Sequence, residues 1–168
     1  MIRPIIMISV VFFTLFSAST KEICAQPDKG TVGIAAMVQH AQLDFRIPMW
    51  VGDKVVWAPS FGIISASDLA TDLSLGFSLH TYLKKEKLSP FIGGRLAMFI
   101  LFPDVGLSRI DFGAGVYFGA EYFFDKNFSV ASELQLNAAF SDKLSPRFGL
   151  QGGTTINTAT SIVFSFYF

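Results

Sequence analysis

From Thr160 to Phe168 the chain alternates between two kinds of side chain. Thr160, Ile162, Phe164, Phe166 and Phe168 occupy one set of positions; Ser161, Val163, Ser165 and Tyr167 occupy the other. Successive side chains of a β-strand point to opposite faces. This stretch is therefore a strand with one almost wholly apolar face and one mixed face.

The same period of two recurs along the chain, broken by polar turns. Residues 31–39 put Val32, Ile34, Ala36 and Val38 on one face, and residues 42–50 do the same with Leu43, Phe45, Ile47 and Met49. Residues 55–65 follow with Val55, Trp57, Phe61 and Ile63, and residues 73–83 with Leu73, Leu75, Phe77, Leu79 and Leu83. Residues 89–101 align Ile92, Leu96, Met98 and Ile100, and residues 110–124 align Ile110, Phe112, Val116, Phe118 and Phe124. Residues 128–140 align Phe128, Val130, Leu134, Leu136 and Phe140. With the terminal stretch this makes eight strands. The connections at 51–54, 84–87 and 125–127 are short and fall on one side. Longer ones are expected at 66–71, 102–109 and 141–153 on the other. Pro48 and Pro59 cannot donate ladder hydrogen bonds, so a bulge or an early end of pairing is expected beside them.

Charge decides which face is which. Asp44, Arg46, Arg95, Asp111, Glu121 and Glu133 all lie on the non-apolar face of their strands. An Arg or Lys facing lipid near mid-bilayer costs about 2–4 kcal/mol, whereas a charge inside a closed barrel can pair with an opposite one. Arg46 and Arg95 are expected to pair with Asp44, Asp111, Glu121 or Glu133, and the alternation leaves the choice open. A water-soluble barrel would carry more Lys and Glu on that face than the Gly, Ser and Ala present. Small residues there, Gly62, Gly76, Gly93, Gly113, Gly115 and Gly119, suit a crowded interior holding Trp50, Tyr82, Phe99, Tyr117 and Phe123. Aromatics also gather near the short turns, where Trp50, Trp57, Tyr82, Tyr122, Phe124, Phe128 and Phe168 suit an interfacial girdle. The expected fold is an all-β, eight-stranded, antiparallel, up-and-down transmembrane barrel.

The first residues add an export signal. Met1-Ile2-Arg3 is a basic start, Pro4 to Phe16 is an apolar run of signal-peptide length, and small residues near Ile23-Cys24-Ala25 offer a cleavage site. Cleavage is expected after Ala25, leaving residues 26–168 as one barrel domain and removing the single cysteine. Lys21, Glu22 and Ile23 before Cys24 do not fit a lipoprotein signal. A formal net charge of zero gives no electrostatic footprint for nucleic acid.

The mature chain resembles the small eight-stranded outer-membrane proteins of the OmpA/OmpX-like, porin-like β-barrel group. Tyr82-Leu83-Lys84-Lys85-Glu86-Lys87-Leu88-Ser89-Pro90-Phe91-Ile92-Gly93-Gly94 is similar to their turn and strand start, and Phe166-Tyr167-Phe168 to their terminus. The Ala25-Gln26 junction is similar to that of exported Bacteroidetes proteins. The resemblance implies a Gram-negative outer membrane, with its lipids and lipopolysaccharide as surroundings. It implies periplasmic chaperones and the barrel-assembly machinery as partners, Ile162, Phe164, Phe166 and Phe168 as the assembly signal, and a monomer.

Function follows less readily. An eight-stranded barrel has an interior just wide enough for side chains, so a structural or surface-interaction role with a plugged interior is expected. A narrow ion-conducting channel is one alternative. A lipid A-modifying enzyme is another, since some barrels of this size use a Ser, a His and an acid near the outer rim. Here His80 faces inward near the short turns, and only His40, with Ser65, Ser67 and Asp68, falls at the loop end. Two separated histidines make no metal cluster, and no cofactor is expected.

Overall fold

The computed structural model describes residues 26–39, 42–66, 70–103, 106–145 and 151–168. The expected leader at 1–25, with Cys24 and the expected cleavage site after Ala25, lies outside them. Nine strand segments follow in order: β1 (Gly33–Gln39), β2 (Gln42–Arg46), β3 (Met49–Trp50), β4 (Val55–Ala66), β5 (Ala70–Tyr82), β6 (Leu88–Pro103), β7 (Arg109–Phe123), β8 (Phe128–Phe140) and β9 (Thr154–Tyr167). They form one sheet in the order β2-β1-β9-β8-β7-β6-β5-β4-β3, and a further pairing of β2 with β4 closes it. Each neighbouring pair is antiparallel. β2 and β3 are the two halves of one interrupted strand, so the barrel has eight staves.

The interruption has a cause in covalent structure. β2 stops at Arg46 and β3 resumes at Met49, with Pro48 between them. The Ile47 amide donates to Pro59 O at 2.9 Å, and the Gly33 amide to Pro48 O at 2.8 Å. Each proline thus accepts a rung bond that it cannot reciprocate. Both gaps fall in one short region of wall, and β4 itself runs through Pro59 unbroken.

Polarity is inverted relative to a water-soluble barrel. Leu96 and Phe118, expected outside, are 63% and 61% exposed, while Arg46 and Glu133 are 5% and 2% exposed. Every strand sends its apolar set outward, as the alternation predicts. Closure satisfies the backbone groups of an antiparallel sheet without leaving it an edge, which is what a membrane span requires.

Two expectations need correction. The loops at 66–71 and 102–109 are shorter than their composition suggested. β4 and β5 stay paired to Ala66↔Ala70, and β6 reaches Pro103, where it pairs with Ala70. Pairing continues because each extra rung satisfies backbone groups that a loop would leave to water. Across the ends of the 141–153 connection the Ser141 amide donates to Gly153 O and the Gly152 amide to Asp142 O, each at 3.0 Å. Trp50 and Tyr82 do not join the girdle either: they point into the barrel and are 1% and 2% exposed. The outer ring near the short turns keeps Trp57, Tyr122, Phe124, Phe128 and Phe168, and Lys87 Nζ lies 5.5 Å from the centre of the Tyr122 ring.

Candidate functional site

The inward side chains form three layers. Nearest the short turns is a floor of rings. Trp50 stacks on Tyr82 with centroids 5.0 Å apart and planes 5° from parallel. Phe123 and Tyr167 close on Trp50 at 6.2 and 6.3 Å, and Phe91 meets Tyr82 at 5.8 Å. Gln26, the expected first residue of the mature chain, is buried against this floor and donates to Ser89 Oγ at 2.5 Å.

Glu121 is embedded in the floor with three hydroxyl donors and, among the described residues, no cation bonded to it. Tyr82 donates to Oε2, Ser129 to Oε1, and Tyr167 to Oε1 at 3.0 Å. Each donor comes from an inward position of a different strand, β5, β8 or β9. His80, one layer up, has Nε2 3.2 Å from the Tyr82 hydroxyl and Nδ1 3.3 Å from the Tyr117 hydroxyl. It is an interior residue bonded to two tyrosines. Of the loop-end residues weighed as catalytic, His40, Ser67 and Asp68 lie outside the described residues, and Ser65 belongs to β4.

The middle layer is a bidentate ion pair. Arg46 Nη1 donates to Glu133 Oε1 at 2.7 Å and Nη2 to Oε2 at 3.1 Å. Gln135 and Ser161 each donate to Glu133 Oε2 at 3.0 Å. The planar guanidinium fork matches a carboxylate edge, so the pair is fixed in orientation as well as in charge.

Above it the interior is less tightly filled. A cavity of about 80 Å³ is lined by Met37, Asp44, Arg46, Ser60, Ser74 and Arg95, among others. Arg95 Nε donates to Asn137 Oδ1 at 3.1 Å. Gly115 makes that contact feasible, because a Cβ there would stand 2.3 Å from Asn137 Oδ1. Asp44 accepts from Ser74 Oγ at 3.2 Å. Asp111 lies nearer the loops and holds the 141–153 connection, accepting from Asp142 N at 2.7 Å and Ser145 Oγ at 2.6 Å.

The six charged residues singled out from the sequence occupy inward positions. Arg46 pairs with Glu133, Glu121 accepts from three hydroxyls, Asp111 accepts from Asp142 N and Ser145 Oγ, Asp44 accepts from Ser74 Oγ, and Arg95 donates to Asn137 Oδ1. Alternation alone missed Tyr82, Tyr167, Ser129, Gln135 and Ser161 as partners. Their signal was available: each is a hydrogen-bonding side chain at an inward position.

Close packing of the layers uses the inward glycines. A Cβ at Gly119 would lie 2.1 Å from Ser132 O and 2.7 Å from Phe91 Cζ. Gly119→Ala is expected to lower stability by about 1–3 kcal/mol, the usual cost of overpacking. A lower urea midpoint with unchanged β circular dichroism would show it; an unchanged midpoint would contradict the tight contact between β7 and β8.

Comparison with solved structures places this architecture. The N-terminal β-barrel domain of Pseudomonas aeruginosa OprF matches with a TM-score of 0.59 at 19% identity, covering 83% of this chain and 98% of that one. Neisserial surface protein A matches with a TM-score of 0.53 at 16% identity, covering 82% and 94%. The fold is that of the small outer-membrane β-barrels. At these identities the likeness concerns fold. No protein-family model and no curated protein sequence matches the chain.

Proposed function

We propose that the chain is an integral protein of the bacterial outer membrane with a structural or surface-interaction role and a sealed interior. The observation that carries this is the inverted polarity of a closed barrel whose floor is packed with rings. The apolar exterior needs lipid, and the close-packed buried rings of Trp50, Tyr82, Phe91, Phe123 and Tyr167 favour a sealed lumen. The cavity above it has room for about two or three waters at about 30 Å³ each. That favours a blind vestibule over a channel. His80 is held between the Tyr82 and Tyr117 hydroxyls, which supports an interior packing role for it, and the proposed role of the chain is non-enzymatic.

Outer-membrane lipids are the proposed surroundings, and assembly machinery the proposed transient partner. Ile162, Phe164, Phe166 and Phe168 form an outward apolar row, with Phe168 74% exposed at its end. This row is the proposed assembly signal, and Phe168→Ala is expected to reduce the amount of protein reaching the outer membrane.

Fractionation and gel migration test the proposal. The protein is expected in the outer-membrane fraction, migrating differently before and after boiling. Planar bilayers containing it are expected to stay silent. A soluble periplasmic protein without a heat shift would defeat the membrane reading, and steady single-channel current would defeat the sealed interior.

A further inference from the structure

The lipid-facing belt is not of uniform height. Strands rise about 3.3 Å per residue and tilt about 40° in barrels of this kind, which gives about 2.5 Å of height per residue. β7 has 15 residues, β6 has 16 and β8 has 13. β1 has 7. The tall side therefore stands about 37 Å high and the short side about 17 Å, on either side of the roughly 25 Å apolar band typical of such barrels.

Outward chemistry follows the same division. On the tall side the apolar face continues to the loop end, where Phe102, Ile110, Phe112 and Phe140 are 44–54% exposed. On β9 the outward apolar run from Phe168 ends at Ile162. Thr160, Thr158 and Thr154 follow outward and exposed, with Ile156 the one apolar exception. Pairing of β1 with β9 also ends at Val38↔Ile162. The change falls between adjacent strands: Leu134 pairs with Thr160, Leu136 with Thr158 and Phe140 with Thr154. β9 itself has 14 residues, so the step in length falls between β9 and β1, one strand beyond the step in side-chain type, and the part of β9 that rises past its pairing with β1 is the part that carries the threonines.

We infer that the barrel is a hydrophobic wedge, and that the lipid surface it fits is thin beside β9, β1 and β2 and thick beside β6, β7 and β8. This rests on the membrane-spanning reading above. Tilt alone does not level a wedge, because it moves both ends of each wall together. The surrounding acyl chains must take up the difference by compressing on one side and extending on the other, at a modest cost per ångström.

The test uses the full chain carrying Trp57→Phe, which leaves Trp50 sealed inside. Phe140→Trp, Thr154→Trp and Phe118→Trp are made singly on it. Each folded protein, checked by its gel shift, is reconstituted in dioleoylphosphatidylcholine vesicles and in the chain-dibrominated analogue. The expected result is loss of emission at 140 matching that at 118, and no loss at 154. Equal loss at 140 and 154 overturns the wedge, since the belt is then level. No loss at 140 with loss at 118 also overturns it, because the top of the tall side then stands clear of the bilayer. No loss at 118 overturns the membrane-spanning reading itself.

Discussion

Arg46→Ala is expected to lower the stability of the barrel by about 3–5 kcal/mol, the usual result of removing one partner from a buried ion pair. Glu133 would be left 2% exposed with its charge uncompensated. Gln135 and Ser161 would remain as donors, but neither supplies a positive charge. The double replacement Arg46→Met/Glu133→Leu is expected to recover most of the loss, since both charges leave together. Gln135 Nε2 keeps an acceptor in it, because it already donates to Ser161 Oγ at 3.0 Å. Urea titrations of the wild type, Arg46→Met, Glu133→Leu and the double, followed by the gel shift, complete a double-mutant cycle. A double variant as unstable as the sum of the singles would show that the pair is not coupled, and would leave the geometry without energetic meaning.

The partnership of Arg46 with Glu133 also shows where sequence reading stopped. Alternation is local: within one strand it fixes which residues share a face, and it placed Arg46, Arg95 and Glu133 correctly inside. Which interior residue faces which depends on register summed around the closed wall. Arg46 and Glu133 are 87 positions apart, and no local pattern carries that offset. Glu121 shows the complement. A buried carboxylate suggests a cation, yet Tyr82, Ser129 and Tyr167 satisfy it with hydroxyls that alternation recorded only as inward. The prolines were legible because their effect is local: Pro48 lacks an amide proton wherever register puts it. Strand ends were less so. The rungs from Ile64↔Asp72 to Ala66↔Ala70 extend pairing into residues with turn-like composition, because hydrogen bonding between neighbours outweighs weak local preference.

The second large effect concerns the ring floor. Trp50→Ala is expected to cost about 3–5 kcal/mol, as for other buried large aromatics. It removes the stack on Tyr82 and two ring contacts, and the space it opens lies in the layer that holds Glu121. An apolar void stays dry, but one with polar groups at its edge and room for several waters hydrates. Trp50→Ala combined with Phe123→Ala is therefore expected to convert the silent barrel into a conducting one in planar bilayers. Trp50→Leu, which keeps the space apolar and leaves a smaller void, is expected to stay silent with a smaller loss of stability and so separates sealing from folding. Current through the wild type equal to that through the double variant would mean that ions pass elsewhere. Silence in a double variant that keeps its gel shift would mean that His80, Tyr117 and the Arg46–Glu133 pair above the floor seal the barrel unaided. The floor carries the seal only if its removal, and not merely a loss of stability, opens the lumen.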